Sequence, residues 1–168
     1  MEFKIKTMPA FKIIGFERTF RNDNSYQTVP KFWDEIREKY FKNIMNEDMP
    51  KTAIEKAIID NSIGEYGVCI DDVSSNTFRY LIAGNYIGKE IPDGLVIYEF
   101  EALNWAIFDC YGPLPKALQE VNTYVFKDWL PNNKEYEFYG NFNIEWYDLG
   151  DPNSDDYHSA IWIPIKKK

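Results

Sequence analysis

The sequence predicts an α+β protein in which two pseudo-symmetric strand-helix-strand-strand units, about 1–90 and 91–168, form one curved, mostly antiparallel sheet of about eight strands with helices on its outer face. Three observations carry this. A helical segment occurs twice: Val29-Pro30-Lys31 through Glu35 to Phe41-Lys42 returns as Leu114-Pro115-Lys116 through Glu120 to Phe126-Lys127. Val29, Trp33, Ile36, Tyr40 and Ile44 match Leu114, Leu118, Val121, Val125 and Trp129, and this 4-3-4-4 spacing paints one face of a helix. The repeat extends beyond the helix, since Pro9-Ala10-Phe11-Lys12-Ile13-Ile14 echoes Glu101-Ala102-Leu103-Asn104-Trp105-Ala106. Finally, 168 residues bury one good core, whereas two independent domains of half that size would each be marginal, so the reading is a single domain over 1–168.

In chain order, Glu2 to Phe20 has the β-branched and aromatic content of strands, interrupted near Met8-Pro9 because proline cannot donate to a ladder. Arg21 to Gln27 reads as a loop. The first copied helix runs from about Pro30 to Met45, with proline near its start, where a missing N–H costs nothing. Ile54, Ala57 and Ile58 place a second short helix within Met49 to Asn61. Strands follow at Glu65 to Asp71 and Thr77 to Ile87, joined by the turn-rich Asp72-Val73-Ser74-Ser75-Asn76. Lys89 to Gly94 connects the halves. Leu95 to Cys110 reads as one long strand region, Tyr111-Gly112-Pro113 breaks it, and the second copied helix runs to Trp129, stopped by Pro131-Asn132-Asn133. Phe142 to Leu149 and His158 to Ile165 are the closing strands.

Composition excludes several classes of function. A net charge of −8 leaves little basic surface for a phosphate backbone, so direct nucleic-acid binding is not expected. No apolar run approaches the ~20 residues of a membrane span, and Met1-Glu2-Phe3 opens no signal-peptide pattern, which makes a cytoplasmic protein the expectation. Cys69 and Cys110 lack CxxC spacing and are read as reduced. A single histidine, His158, supports neither a metal site nor a Ser-His-Asp triad, and Gly64, Gly67, Gly84 and Gly88 form no phosphate-cradling loop; no metal and no cofactor are expected. The aromatic share of 17% is high. It implies either a bulky core or a pocket lined by rings.

The most informative segment for chemistry is Phe142-Asn143-Ile144-Glu145-Trp146-Tyr147. Strand alternation sends Phe142, Ile144 and Trp146 to one face and Asn143, Glu145 and Tyr147 to the other. If the helices cover the first face, Glu145 looks into a groove at the seam between the two halves, with Tyr147 beside it. A carboxylate among rings holds an organic cation by charge pairing and cation–π attraction, and desolvation would raise its pKa and suit it to proton transfer. The alternative is a solvated carboxylate on an open sheet face. Tyr66, Tyr80, Trp105 and Trp162, all in strands, and Trp33 on the first helix are the further candidate ligand-binding rings; taken singly, each such ring is more often core than a ligand contact, and helical spacing alone already explains Trp33.

An ordered series of segments carries a resemblance over almost the whole chain: Pro9-Ala10-Phe11-Lys12-Ile13-Ile14-Gly15, Val29-Pro30 with Phe32-Trp33, Tyr66-Gly67-Val68-Cys69, Phe78-Arg79-Tyr80-Leu81-Ile82-Ala83-Gly84, Gly112-Pro113, Trp129-Leu130-Pro131, Glu145-Trp146-Tyr147 and Ile161-Trp162-Ile163-Pro164-Ile165. This series resembles the gyrase-inhibitor-like small-molecule-binding domain, the effector-binding module of many bacterial transcription regulators of the AraC and MerR classes. The resemblance implies a pseudo-symmetric cup that takes up hydrophobic and often cationic drugs, with Glu145 matching the family's pocket glutamate and Tyr147 the tyrosine after it. It also implies a branch of hydrolases that act on cyclopropane-containing natural products through a pocket glutamate. Two departures fall near the pocket rim: Asn132-Asn133-Lys134-Glu135-Tyr136 stands where the family has Ser-Gly-Tyr, and the proline common shortly before the pocket glutamate is absent. These bear on ligand range more than on fold.

The expected function is therefore a stand-alone small-molecule-binding protein for an apolar, cationic or drug-like ligand, without the DNA-binding residues of a regulator. A hydrolase using Glu145 as general acid or base is the first alternative. A protein-interaction module, with the acidic surface clamping a partner such as gyrase, is the second.

Overall fold

The computed structural model describes residues 1–47 and 49–168. The strands are β1 (Lys4–Met8), β2 (Phe11–Arg21), β3 (Tyr66–Asp72), β4 (Thr77–Asn85), β5 (Val96–Phe100), β6 (Leu103–Tyr111), β7 (Tyr136–Phe138), β8 (Phe142–Tyr147) and β9 (His158–Lys167). All pairings are antiparallel, in the order β1-β6-β9-β8-β3-β4-β2-β5, with the short β7 added alongside β9. The seam between halves is the β3–β8 pair, in which Gly67 faces Glu145 and Cys69 faces Asn143. Each half also lends its first strand to the other: β1 pairs with β6, and β5 pairs with β2. Expected as one long strand, Leu95 to Cys110 is instead broken at Glu101-Ala102, the counterpart of the Pro9-Ala10 break, and this break is what lets β5 cross to the opposite half.

The first copied helix is α1 (Ser25–Ile36), which passes through a π-helical turn (Arg37–Phe41) into α2 (Lys42–Asn46). It begins earlier than expected, because a 3-10 turn at Asn22–Asn24 leads straight into it and Arg21 to Gln27 is not an open loop. Pro30 consequently lies inside the helix, where its missing N–H frees the carbonyl of Tyr26 four residues back. That carbonyl is not orphaned: the Gln119 side chain donates to it at 3.0 Å from the second copied helix. The short helix α3 (Ala53–Asp60) starts with a reciprocal cap, in which Thr52 Oγ1 accepts from the Glu55 N–H at 3.1 Å and Glu55 Oε2 accepts from the Lys51 N–H at 2.7 Å. The second copied helix is α4 (Lys116–Tyr124), continued by a π-helical turn (Val125–Trp129) and α5 (Leu130–Asn132).

Two layers of core result. On the outer face, α1 and α3 cover β2 and β4 through Phe32, Ile36, Ile58, Phe16 and Ile82, while α4 covers β6 and β9 through Leu118, Val121, Phe108 and Ile161. The inner face is covered by the sheet itself: curling brings Phe100 of the β5 edge to 4.9 Å from Phe142 and 5.7 Å from Trp105, ring centre to ring centre. This corrects one expectation. The helices do not cover the face carrying Phe142 and Ile144; those residues fill the interior of the curl, and the helices flank the face that carries Glu145. Alternation had sorted the two sets, but sheet closure decided what each set meets. No helix among the described residues is long and apolar enough to cross a membrane.

Candidate functional site

The two helices cover the sheet on either side of the seam, and between them, over β3 and β8, lies a cavity of about 640 Å³. One wall is Trp33, Val29 and Pro30 of α1; the other is Leu118, Gln119 and Asn122 of α4. The floor is Cys69, Phe78, Tyr80, Glu145 and Tyr147 from the sheet. The segment after β8 closes one side with Asp148, Gly150, Pro152 and Tyr157, and it is tied down by the Leu114 N–H donating to the Pro152 carbonyl at 2.8 Å.

Glu145 is the chemical centre. The Tyr80 hydroxyl donates to its Oε1 at 2.6 Å, and the same hydroxyl accepts from the Trp33 indole N–H at 2.8 Å. Trp33 in turn sets its ring edge-on to Tyr147 at 5.0 Å. Desolvation among these rings pushes the Glu145 pKa from 4.5 up to about 7, and hydrogen bonds from Tyr80 and Tyr147 pull it down without cancelling that push. The same enclosure and the neighbouring carboxylate drive the Tyr80 and Tyr147 hydroxyls well above their ordinary value, so both remain donors. Burial, with Glu145 and Asp71 nearby, likewise drives the Cys69 thiol well up, which leaves it a neutral wall residue.

Of the candidate rings, the structure brings Trp33, Tyr80 and Tyr147 together around Glu145. It places Tyr66, Trp105 and Trp162 on the opposite face, inside the curl, where Tyr66 meets Trp162 at 5.9 Å and Trp162 meets Trp105 at 6.5 Å. Register explains this: Gly67 and Ile161 are the partners of Glu145, so Tyr66 and Trp162, each one residue away, point the other way. Trp105 pairs within the β6–β9 ladder on the Trp162 side. His158 also lies away from the cavity, stacked on Tyr111 at 4.7 Å and bound to Asp109 at 2.8 Å. No cluster of three or more His, Cys, Asp or Glu is placed to hold a metal ion among the described residues.

Sequence reasoning missed Tyr26, Phe78, Leu118 and Tyr157 as cavity residues, and above all Gly67. A side chain at Gly67 would overlap the Tyr80 hydroxyl and come within 2.7 Å of Glu145 Oε1, so this glycine is the space in which the acid and its donor meet. The signal was present: a glycine inside a strand often marks a close approach.

A curled antiparallel sheet with a ring-lined cavity between two helices defines a small-molecule-binding domain. The chain belongs to the GyrI-like small molecule binding domain family, which matches residues 1–166. Among solved structures it is similar to SAV2435 bound to tetraphenylphosphonium, with a TM-score of 0.77, 20% identity and coverage of 99% of this chain and 94% of that one. A Staphylococcus aureus protein assigned to bacterial transcription regulation gives a TM-score of 0.69 at 22% identity, covering 99% of each chain. The C-terminal domain of EcmrR gives 0.59 at 14% identity, covering 99% of this chain and 98% of that one. At these identities the likeness is one of fold. No curated protein matches the chain in sequence.

Proposed function

We propose that this protein binds lipophilic organic cations in the cavity between its two helices, with Glu145 as counter-charge and Trp33, Tyr80 and Tyr147 as the aromatic enclosure. The observation that carries the reading is a carboxyl group inside a ring-lined cavity, with a pKa raised to about 7 and no cationic side chain bonded to it among the described residues. The nearest guanidinium on the wall, Arg37, is engaged by Asp34 at 2.8 Å. A cation entering the cavity supplies the missing charge and gains from the half-buried rings of Trp33 and Tyr147. The net charge of −8, with Asp148, Asp151, Asp155 and Asp156 in the segment beside the cavity, favours the approach of positive ligands. SAV2435, with the same fold, was solved with tetraphenylphosphonium bound.

The test is calorimetric titration of tetraphenylphosphonium into the wild-type protein and Glu145→Gln, with triphenylphosphine oxide as a neutral comparison. Binding of the cation by the wild type, weakened tenfold or more in Glu145→Gln while the neutral compound is unaffected, is the expected result. Equal affinity of both proteins for the cation, or none, overturns it. A carboxyl with this pKa could also transfer protons in a hydrolysis. In that case Glu145→Gln keeps its ligand and loses turnover.

A further inference from the structure

The Trp33 indole N–H is linked to Glu145 by hydrogen bonds through Tyr80, and chemistry fixes the direction of both bonds. An indole N–H donates and cannot accept. The Tyr80 hydroxyl must therefore be the acceptor of the 2.8 Å bond, which leaves its single proton for the 2.6 Å bond to Glu145 Oε1. Tyr80 is fully buried, so its hydroxyl has no bulk water to turn to, and Gly67 provides the space that holds it against the carboxyl.

We infer that Trp33 is a positioning residue for the acid of the cavity: by occupying the acceptor side of the Tyr80 hydroxyl, it makes Tyr80 a one-way donor to Glu145. The inference rests on the cation-binding reading for its use, but its structural content is independent of any ligand. Helix α1 is then more than a wall, because it governs how readily Glu145 carries charge. Without the indole N–H, the Tyr80 hydroxyl is free to rotate and accept a hydrogen bond from a neutral carboxyl, and the donor it offers to the charged form is less polarised. Both effects favour the protonated acid.

The remaining titratable groups that face Glu145 among the described residues are Tyr147 on its own strand, Cys69 on β3 and Cys110 on β6. Asp34 and Arg37 pair with each other on the α1 wall, and Asp148 and Tyr157 stand on the segment after β8. A Trp33→Phe change replaces none of these groups, and it keeps an aromatic ring beside Tyr147.

The experiment is a pH titration of the Glu145 carboxyl carbon by NMR in ligand-free wild type, Trp33→Phe, Tyr80→Phe and the double variant. Tyr80→Phe is expected to move the midpoint upward by about one pH unit. Trp33→Phe should move it the same way by roughly 0.3, the share expected of cooperative polarisation. The double variant should go no further than Tyr80→Phe alone. A midpoint unmoved in Trp33→Phe, or a displacement that adds in full to that of Tyr80→Phe, overturns the proposal. Should Trp33→Phe fail to fold, the Trp33 indole N–H resonance serves instead: it should follow the Glu145 titration in wild type and cease to do so in Tyr80→Phe, and a resonance indifferent to pH in wild type overturns the proposal equally. Because no ligand is used, failure of tetraphenylphosphonium to bind would sink the cation-binding reading and leave this result standing.

Discussion

Tyr80 and Glu145 are hydrogen-bonded at 2.6 Å although their strands are not neighbours: β3 runs between β4 and β8, and the two side chains meet above Gly67. A methyl group at residue 67 would occupy the position of the hydroxyl. Gly67→Ala is therefore expected to push Tyr80 off the carboxyl and to cost about 1–3 kcal/mol of stability through overpacking. Chemical denaturation reads the first effect on the fold, and an upward move of the Glu145 midpoint reads the loss of its donor. An unchanged midpoint would show that the niche is not required.

The raised pKa of Glu145 has a cost in stability with a definite sign. The folded protein holds this proton up to about pH 7, whereas an unfolded glutamate releases it near 4.5. Stability from this group is thus fully present below about pH 4.5 and falls as pH rises through about 7, by on the order of 3 kcal/mol in all. Glu145→Gln should remove that slope. Urea denaturation of the two proteins between pH 4.5 and 8 is expected to show the variant gaining on the wild type as pH rises; parallel curves would contradict it.

If a permanent cation pairs with the charged form of Glu145, as proposed, its affinity should increase with pH up to about 7 and level off above. Below that point binding must expel the proton. Calorimetry of tetraphenylphosphonium in two buffers of different ionisation enthalpy should show proton release at pH 6 and almost none at pH 8. Release independent of pH would assign the proton to another group.

The helices flanking the cavity are fastened at Tyr26. Its hydroxyl lies 2.7 Å from Thr123 Oγ1, accepts from Asn122 Nδ2 at 2.9 Å and donates to the Gln119 carbonyl at 3.1 Å, while its own carbonyl, freed by Pro30, accepts from Gln119 Nε2 at 3.0 Å. Gln119→Ala is expected to cost about 1 kcal/mol. In a Pro30→Ala background, where the helix can satisfy that carbonyl itself, the cost should shrink. Equal costs in both backgrounds would show that the proline and the glutamine are not coupled.

The repeated helix and the outward-inward alternation of Phe142 to Tyr147 were legible because both are periodic, and period is a local property of a chain. The early start of α1 was not, because the carbonyl that a proline inside a helix leaves free is met here by a side chain from the other half. Trp33 could be read as a helix-face ring but not as the donor to Tyr80, since its partner lies 47 residues away. Tyr66, Trp105 and Trp162 were legible as rings in strands, candidates for pocket or core alike, and only the register of the ladders around β8 and β9 shows that they fill the curl and not the cavity.

By itself the sequence determined a duplicated α+β architecture and put Glu145 and Tyr147 on one side of a strand, because side-chain direction in a strand follows from counting residues. Which covering each side received was decided only in three dimensions. Exchange of β1 and β5 between the halves curls the sheet until Phe100 closes over Trp105 and Phe142, leaving the Glu145 side to the two helices and the cavity between them. Closure depends on contacts between residues far apart in the chain, and no local pattern encodes them.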